Sequence, residues 1–368
     1  MKFVITGGGT AGHVNPALAV AQELRAGGHE IHYAGTPQGF ESKLIPQEGF
    51  DYKGFAASGF NRRKPLSLFS SSAKIAVSAI RASGWLKAIQ PDAVVGFGGY
   101  VSIPVGLAAS WQKIPLAIHE QNSTSGMANR FLAKRAQLIA LSYASAAKDF
   151  GATQKVHIIG NPVRASLFEV SRQKAREYFG LPQNGVVLLV FGGSLGALHL
   201  NQAISNRAAE LMEQPKLSVL HITGSRDFSM ISEQIEGIFQ TNGRWRIIEY
   251  CDRMGEAYAA ADAVLSRAGA TTLAEIAALG KPALLVPYPH AAADEQTTNA
   301  KSLVDVGAAD MIADIELDSP LFAEKLIRLT SDEAYRAELK ARACMLGNAR
   351  AREEMARLII ALASGERW

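Results

Sequence analysis

One pattern occurs twice in this 368-residue chain and limits what it can become. A short apolar run, Lys2 to Thr6, stops at Gly7-Gly8-Gly9-Thr10-Ala11-Gly12-His13, and a helical pattern follows through Leu24. The second half repeats the theme: Val186 to Phe191, then Gly192-Gly193-Ser194-Leu195-Gly196, then a helical pattern from Leu198 to Met212. Parallel strands need a crossover, usually a helix, to connect them. Strand, glycine turn and helix is therefore how a parallel, doubly wound sheet begins. Further apolar runs at Glu30–Ala34, Ala93–Gly96, Pro115–Ile118, Gln137–Leu141, Val156–Ile159, Leu217–Ile222, Trp245–Glu249, Ala263–Leu265 and Ala283–Val286 supply more strands. The expected class is α/β, with two doubly wound Rossmann-like domains, and the length suffices for both. The rhythm breaks at Gly160-Asn161-Pro162-Val163-Arg164. The reading is thus residues 1–163 as one domain, 164–340 as the second, and 341–368 as a C-terminal helix free to pack back on the first.

Composition narrows the classes of function. The net charge of +4 is mildly basic, which suits anionic small molecules or an anionic membrane surface and falls short of a dedicated nucleic-acid binder. Cys251 and Cys344 give neither a disulfide framework nor a metal-ligand spacing, which fits a reducing compartment. The start, MKFVITGGGT, enters a strand directly and lacks the shape of a signal peptide. The uncharged run Ala93 to Gln112 is interrupted by Gly96, Gly98, Gly99, Pro104 and Gly106, so it reads as strand, glycine turn and helix rather than a membrane span.

Chemistry-bearing residues fall just after predicted strands, where open α/β sheets bind ligands. Gly7, Gly9 and Gly12 match G-x-G-x-x-G, but the second strand ends in Ala34-Gly35-Thr36 without the acidic residue that a dinucleotide ribose needs. An anion-cradling turn remains, with Asn15-Pro16 expected to open the helix. His13 either reaches what the turn cradles or merely caps that helix. A second glycine turn carries Tyr100, and the strand ending at Ile118 runs into His119-Glu120-Gln121-Asn122. In the second half, Ser266-Arg267-Ala268-Gly269 leads into a helix bearing Thr271, Thr272 and Glu275, a seat for phosphate at a helix N-terminus. Thr272 and Glu275 also have capping-box spacing, which alone would explain both. The next loop, Pro287 to Gln296, gathers two prolines with His290, Asp294, Glu295 and Gln296.

Between residues 55 and 90, Arg62-Arg63-Lys64 precedes Phe69, Ile75 and Trp85. That stretch is either an ordinary amphipathic helix or a surface that lies on an anionic membrane.

The motifs GGGTAGH…NP, GGYVSIP, HEQN, GNPVR, GGSLGA and SRAGATTLAEIAALGKPALLVP with DEQTTNA occur in this order across essentially the whole chain, which resembles the MurG family. The family's loop reads TGGH; here Ala11 replaces the first of its two glycines. The resemblance implies the GT-B fold, two such domains facing a cleft. It implies an inverting, metal-independent transfer of N-acetylglucosamine (GlcNAc) from UDP-GlcNAc to the muramyl 4-hydroxyl of undecaprenyl-pyrophosphoryl-MurNAc-pentapeptide, which turns lipid I into lipid II for the cell wall. The donor domain would use Arg164 and Ser194 near the nucleotide and its phosphates, and the main chain at Cys251 on the uracil. Ala270, Thr271, Thr272, Leu273 and Ala274 would line the diphosphate, with Glu275 on the ribose and Gln296 on the sugar hydroxyls. Thr10, Ala11, Gly12 and Asn122 would approach the transferred sugar. His13 is the expected general base, with Tyr100, His119 and Glu120 on the acceptor side. The resemblance implies no cofactor and no metal. It implies an anionic membrane surface as partner, at the cytoplasmic face of the bacterial plasma membrane, and leaves room for contacts with other cell-wall and division proteins. Rival readings are a related enzyme with another lipid acceptor, a UDP-GlcNAc 2-epimerase, an NAD-dependent oxidoreductase and a non-catalytic nucleotide-sugar binder.

Overall fold

The computed structural model describes residues 1–57, 66–151, 154–193, 196–239, 243–291 and 294–366; for 66–71 and 237–239 it describes the helical backbone alone. Arg62, Arg63, Lys64 and Ser194 therefore lie outside the described residues. The chain divides into two compact units, Met1–Arg164 with Asn348–Trp368, and Ala165–Gly347.

The first unit holds seven parallel strands: β1 (Lys2–Thr6), β2 (Glu30–Gly35), β3 (Asp51–Gly54), β4 (Ala93–Gly96), β5 (Leu116–Glu120), β6 (Leu138–Leu141) and β7 (Val156–Ile158). They lie in the order β3-β2-β1-β4-β5-β6-β7. The second unit holds β8 (Val186–Phe191), β9 (Leu217–Ile222), β10 (Trp245–Ile248), β11 (Ala263–Ser266), β12 (Ala283–Leu285) and β13 (Asp310–Met311), in the order β10-β9-β8-β11-β12-β13. Both orders start at the middle, run outward one way and then return to run the other. The reversal falls between β1 and β4 in one unit and between β8 and β11 in the other. Neighbouring loops part there and leave a crevice at the strands' C-terminal ends, which makes that point the ligand position in sheets of this kind.

The central strands are buried on both faces, which explains their unbroken apolar runs. In the first unit, Phe3, Ile5, Leu18, Met355, Leu358 and Ile359 share one core. The helix Ala351–Ser364 thus packs on the helix Ala11–Ala26, and Arg352 holds Glu23 at 2.9 Å across the rim. Leu188, Val190, Leu200, Leu217, Ile231 and Leu326 anchor the second unit's core.

Several elements differ from the sequence reading. The first helix begins at Ala11, not at Asn15, and keeps Pro16 inside it. Gly9, at φ +85°, turns the chain just before the helix, which starts four residues earlier. Ala11 is consequently helical and needs no positive φ. The C-terminal segment is two helices, Glu333–Leu346 and Ala351–Ser364. They part at Gly347, where a Cβ would strike the Ala277 carbonyl. Glu333–Leu346 lies in the second unit, so the chain returns to the first at Asn348 rather than at 341. The first unit also runs one residue further than expected, through Arg164.

Leu358 is 1% exposed within the first unit's core. Leu358→Ala should cost about 2–5 kcal/mol, the usual range for a buried leucine. Amide exchange in β1 and β4 should accelerate with it; unchanged exchange there would place the helix outside that core.

Candidate active site

In the first unit the two glycine turns meet at the reversal of strand order. The Phe97 amide donates to the Thr6 carbonyl at 2.7 Å, so the loop after β4 runs beside the loop after β1. Gly99, at φ +77°, lies so close to Gly8 that a Cβ would collide with its carbonyl. Gly98, at φ +92°, lies against the His13 ring, where a Cβ would come within 2.8 Å of Cδ2. Only glycine serves at these two positions. His13 occupies the first turn of the helix, with Nδ1 3.0 Å from the Thr10 hydroxyl. A neutral imidazole carries one N–H and one lone pair; the Thr10 hydroxyl meets Nδ1, and the Gly8 carbonyl favours the protonated ring. Burial lowers the His13 pKa below its ordinary value, against the opposing pull of Glu120, the Gly8 carbonyl and Glu41. The imidazole is accordingly neutral near pH 7, the state in which it can accept a proton.

Behind His13 the end of β5 carries a buried hydrogen-bond network. His119 is fully buried: Nε2–H donates to the Gly160 carbonyl at 3.0 Å and Nδ1 accepts from the Gln121 amide at 3.2 Å. Both nitrogens are in use, and burial pulls its pKa down to about 4. His119 thus braces the sheet end and has no nitrogen left for an acceptor. Glu120 is also buried, and its oxygens accept from the amides of Asn122 (3.0 Å) and Gly126 (3.0 Å) and from the side chains of Asn122 and Asn129. Its reach is therefore electrostatic, through His13, while it shapes the loop that presents Asn122. Tyr100 packs on the small cluster of Ile75, Ile103 and Ala128.

In the second unit the helix Ala270–Leu279 starts directly after the loop that follows β11. Its N-cap is Gly269, which brings no side chain to cap it. Thr272 is therefore not a capping residue, and the capping-box explanation of Thr272 and Glu275 fails. The Thr271 hydroxyl is buried without a hydrogen-bond partner. Glu275 is buried and its carboxylate is oriented by the Tyr258 hydroxyl at 2.9 Å. Gln296 Oε1 accepts from the amides of Ala268 (3.1 Å) and Tyr288 (2.9 Å), tying the loops after β11 and β12 together. Two backbone donors at that oxygen fix the amide's orientation, and its NH2 end makes no bond to a described residue. Arg164, which belongs to the first unit, buries its Nε without a partner. Cys251 follows the edge strand β10 and lines a cavity of about 410 Å3 with Tyr178, Arg246, Tyr250 and Arg253; burial raises its thiol pKa.

Several residues at these loops were missed by sequence reasoning. Arg267 opens the loop after β11, is nearly buried, and is held by Asp314 at 2.5 Å. Asp314 in turn meets His199 Nδ1 at 2.9 Å, while His199 Nε2 meets Asp318 at 3.1 Å. Asn129 and Glu41 are the others, in the first unit. A lone Arg, Asp or Glu in an apolar pattern gives no signal of this kind, because the pairing is set across the fold. Two residues of the expected membrane patch face inward: Ile75 is buried with Ile103, and Trp85 packs its ring on Phe55 at 5.4 Å. Val77 and Ile80, 51% and 67% exposed, are the apolar residues that the same helix turns outward.

The glycosyltransferase family 28 N-terminal domain matches residues 3–141, and the family 28 C-terminal domain matches residues 187–358. A relative from Halothermothrix orenii, the UDP-N-acetylglucosamine–N-acetylmuramyl-(pentapeptide) pyrophosphoryl-undecaprenol N-acetylglucosamine transferase, is 40% identical over 99% of this chain and all of its own length. The chain belongs to the MurG family. The crystal structure of Acinetobacter baumannii MurG superposes with a TM-score of 0.75 at 29% identity, covering 98% of this chain and 99% of that one. The fold is thus GT-B. UDP-GlcNAc 2-epimerase from Neisseria meningitidis bound to UDP-GlcNAc shares the fold alone, with a TM-score of 0.69 at 16% identity over 98% of this chain and all of its own. Among the described residues no group of three or more His, Cys, Asp and Glu side chains could hold a metal ion.

His199 supplies a pH test of the Arg267 network. Its pKa is raised by the Asp314 and Asp318 carboxylates. A raised folded pKa adds stability that is full below about pH 6.5, the unfolded value, and is lost as pH rises through the folded value. The stability difference between wild type and His199→Ala should therefore shrink from pH 6 to pH 8.5. It should stay within about 1 kcal/mol, since water screens the exposed part of the ring. A difference that does not change with pH would mean the ring is uncharged in the fold.

Proposed function

We infer that this chain transfers N-acetylglucosamine from UDP-GlcNAc to undecaprenyl-pyrophosphoryl-MurNAc-pentapeptide, converting lipid I to lipid II. The observation that carries this is end-to-end identity of 40% with a relative that bears that activity in its name, across both family 28 domains.

Each unit has its own task in this reading. The second unit holds the donor. As the bond between sugar and phosphate breaks, negative charge grows on the departing UDP. The uncapped N-terminus of the helix Ala270–Leu279 offers main-chain N–H groups and the positive end of a dipole, and the Thr271 hydroxyl lacks any other partner. Ala270, Thr272, Leu273 and Ala274 extend this seat, with Ser194 as a further donor; Arg164, the last residue of the first unit before the chain crosses, brings its unpaired Nε to the same phosphates in this reading. Glu275, held by Tyr258, accepts from the ribose hydroxyls; the free NH2 of Gln296 meets the sugar; main chain at Cys251 meets the uracil. These groups neutralise the leaving diphosphate without a divalent cation. The first unit receives the acceptor: His13 takes the proton from the muramyl 4-hydroxyl, and attack on the face opposite the phosphate gives the inverted, β-1,4 product.

His13→Ala is expected to lower kcat about 100- to 10,000-fold, the usual share of a general base. The assay is GlcNAc transfer to a short-chain lipid I analogue with EDTA present. Wild type should give β-1,4-linked product and UDP at full rate. Loss of turnover in EDTA would refute the metal-free chemistry; unchanged kcat with a raised acceptor KM would make His13 a binding residue.

The acceptor lies in a bilayer, and among the described residues no helix is long and apolar enough to cross one. We infer peripheral attachment through the outward face of the helix Leu66–Ile89, with the nearby Arg62, Arg63 and Lys64 worth about 1 kcal/mol each at an anionic surface. Ile80→Glu with Val77→Glu should cut co-sedimentation with anionic liposomes while leaving turnover on a water-soluble acceptor intact. Undiminished co-sedimentation would place the contact elsewhere.

A further inference from the structure

Beneath the first glycine turn lies a carboxylate that the transfer chemistry leaves unused. Glu41 is completely buried at the start of the helix Glu41–Gln47. Its Oε1 accepts from the Gly9 amide (3.3 Å), the Thr36 amide (3.0 Å) and the Thr36 hydroxyl (2.6 Å). Three glycines from three segments make room for it: a Cβ on Gly8, Gly35 or Gly39 would run into the Glu41 side chain. Its other oxygen, Oε2, is buried without a hydrogen-bond partner.

Turn geometry alone does not explain this. An amide or hydroxyl oxygen could accept the same three bonds, and burying a carboxylate costs far more than burying a neutral group. What a charge adds is a field, and the field falls on the residues around the turn. Tyr33, whose hydroxyl donates to the Gly7 carbonyl at 3.0 Å, and Tyr52 are both pushed toward their neutral forms, by burial first and by Glu41 second. His13 feels the opposite effect, since a nearby carboxylate favours its charged form. The charged groups acting on the His13 ring are Glu120, from the end of β5, and Glu41, from beneath the turn. Geometry and charge also share a path. Glu41 fixes Gly9, Gly9 sets the position of Thr10, and the Thr10 hydroxyl meets His13 Nδ1.

We propose that Glu41 is a positioning residue: its buried charge holds the first glycine turn in register and supports the imidazolium that forms when His13 takes a proton. The proposal rests on the reading of His13 as base for its kinetic consequence, but not for its electrostatic one.

The test is the NMR titration of the His13 imidazole in the full-length protein, read beside the pH dependence of kcat. Glu41→Gln keeps the acceptor oxygen and removes the charge. The His13 pKa should fall by about half a unit to one unit, at the low end of what a nearby charge does. The acid limb of the kcat profile should move down in pH by the same amount, with the plateau reduced severalfold. Glu41→Asp, which keeps the charge, should bring the His13 pKa back toward wild type even where the turn is loosened. A second readout needs no substitution: the Glu41 carboxyl carbon resonance in the wild-type protein should shift as His13 titrates. A His13 pKa unmoved by Glu41→Gln, or a flat Glu41 resonance, overturns the proposal whatever happens to activity. If the imidazole pKa falls while the kinetic limb stays in place, Glu41 keeps its role and His13 is not the base.

Discussion

Close backbone approach at the reversal of strand order is the constraint on which the first unit's chemistry depends. Gly98 and Gly99 can lie on His13 and Gly8 only because they carry no side chain and adopt positive φ. That approach fixes the ring, and burial keeps the imidazole neutral. The same point on the second sheet is used differently. There Gly269 leaves a helix N-terminus without a side-chain cap, and the Thr271 hydroxyl beside it is buried without a partner. One sheet order, used twice, thus carries an imidazole in one unit and a helix N-terminus without a side-chain cap in the other.

Charge in the first unit is managed from below. Two buried carboxylates, Glu41 and Glu120, accept backbone and side-chain hydrogen bonds that shape the loops, and both raise the basicity that burial takes from His13. In the second unit the roles invert. Asp314 holds Arg267 at the loop that follows β11, so the cation braces that loop. Neither arrangement depends on the exposed salt bridges, which are worth little in water.

Much of this was legible in the sequence because the signal was local. Both glycine turns of the first half, the turn after Phe191 and the long central strands stand out as apolar runs ended by glycine. The short strands Asp51–Gly54 and Asp310–Met311 escaped notice because each is partly exposed and two to four residues long, too brief for periodicity to show. Pro16 misplaced the first helix start, since proline favours the first turn but is tolerated where the turn before it is as tight as Gly9 makes it. His119 looked like a ligand-binding group because a polar residue at a strand end often is one; only the Gly160 carbonyl and the Gln121 amide, distant or unremarkable in sequence, reveal that its nitrogens are spent. Ile75 and Trp85 were apolar residues beside cations, and the packing of Phe55 and Ile103 decided which way they face. The donor-side residues were named on family resemblance, while the partners of Glu41 and Arg267 emerge only when the chain is folded.

The division of labour between the two units is the central claim, and UDP affinity measured by calorimetry tests it most directly. His13→Ala should bind UDP as wild type does. Thr271→Val should bind it about tenfold or more weakly, the cost of losing a hydrogen bond to a charged group. The reverse result, with UDP binding lost on changing His13 and kept on changing Thr271, would contradict the account.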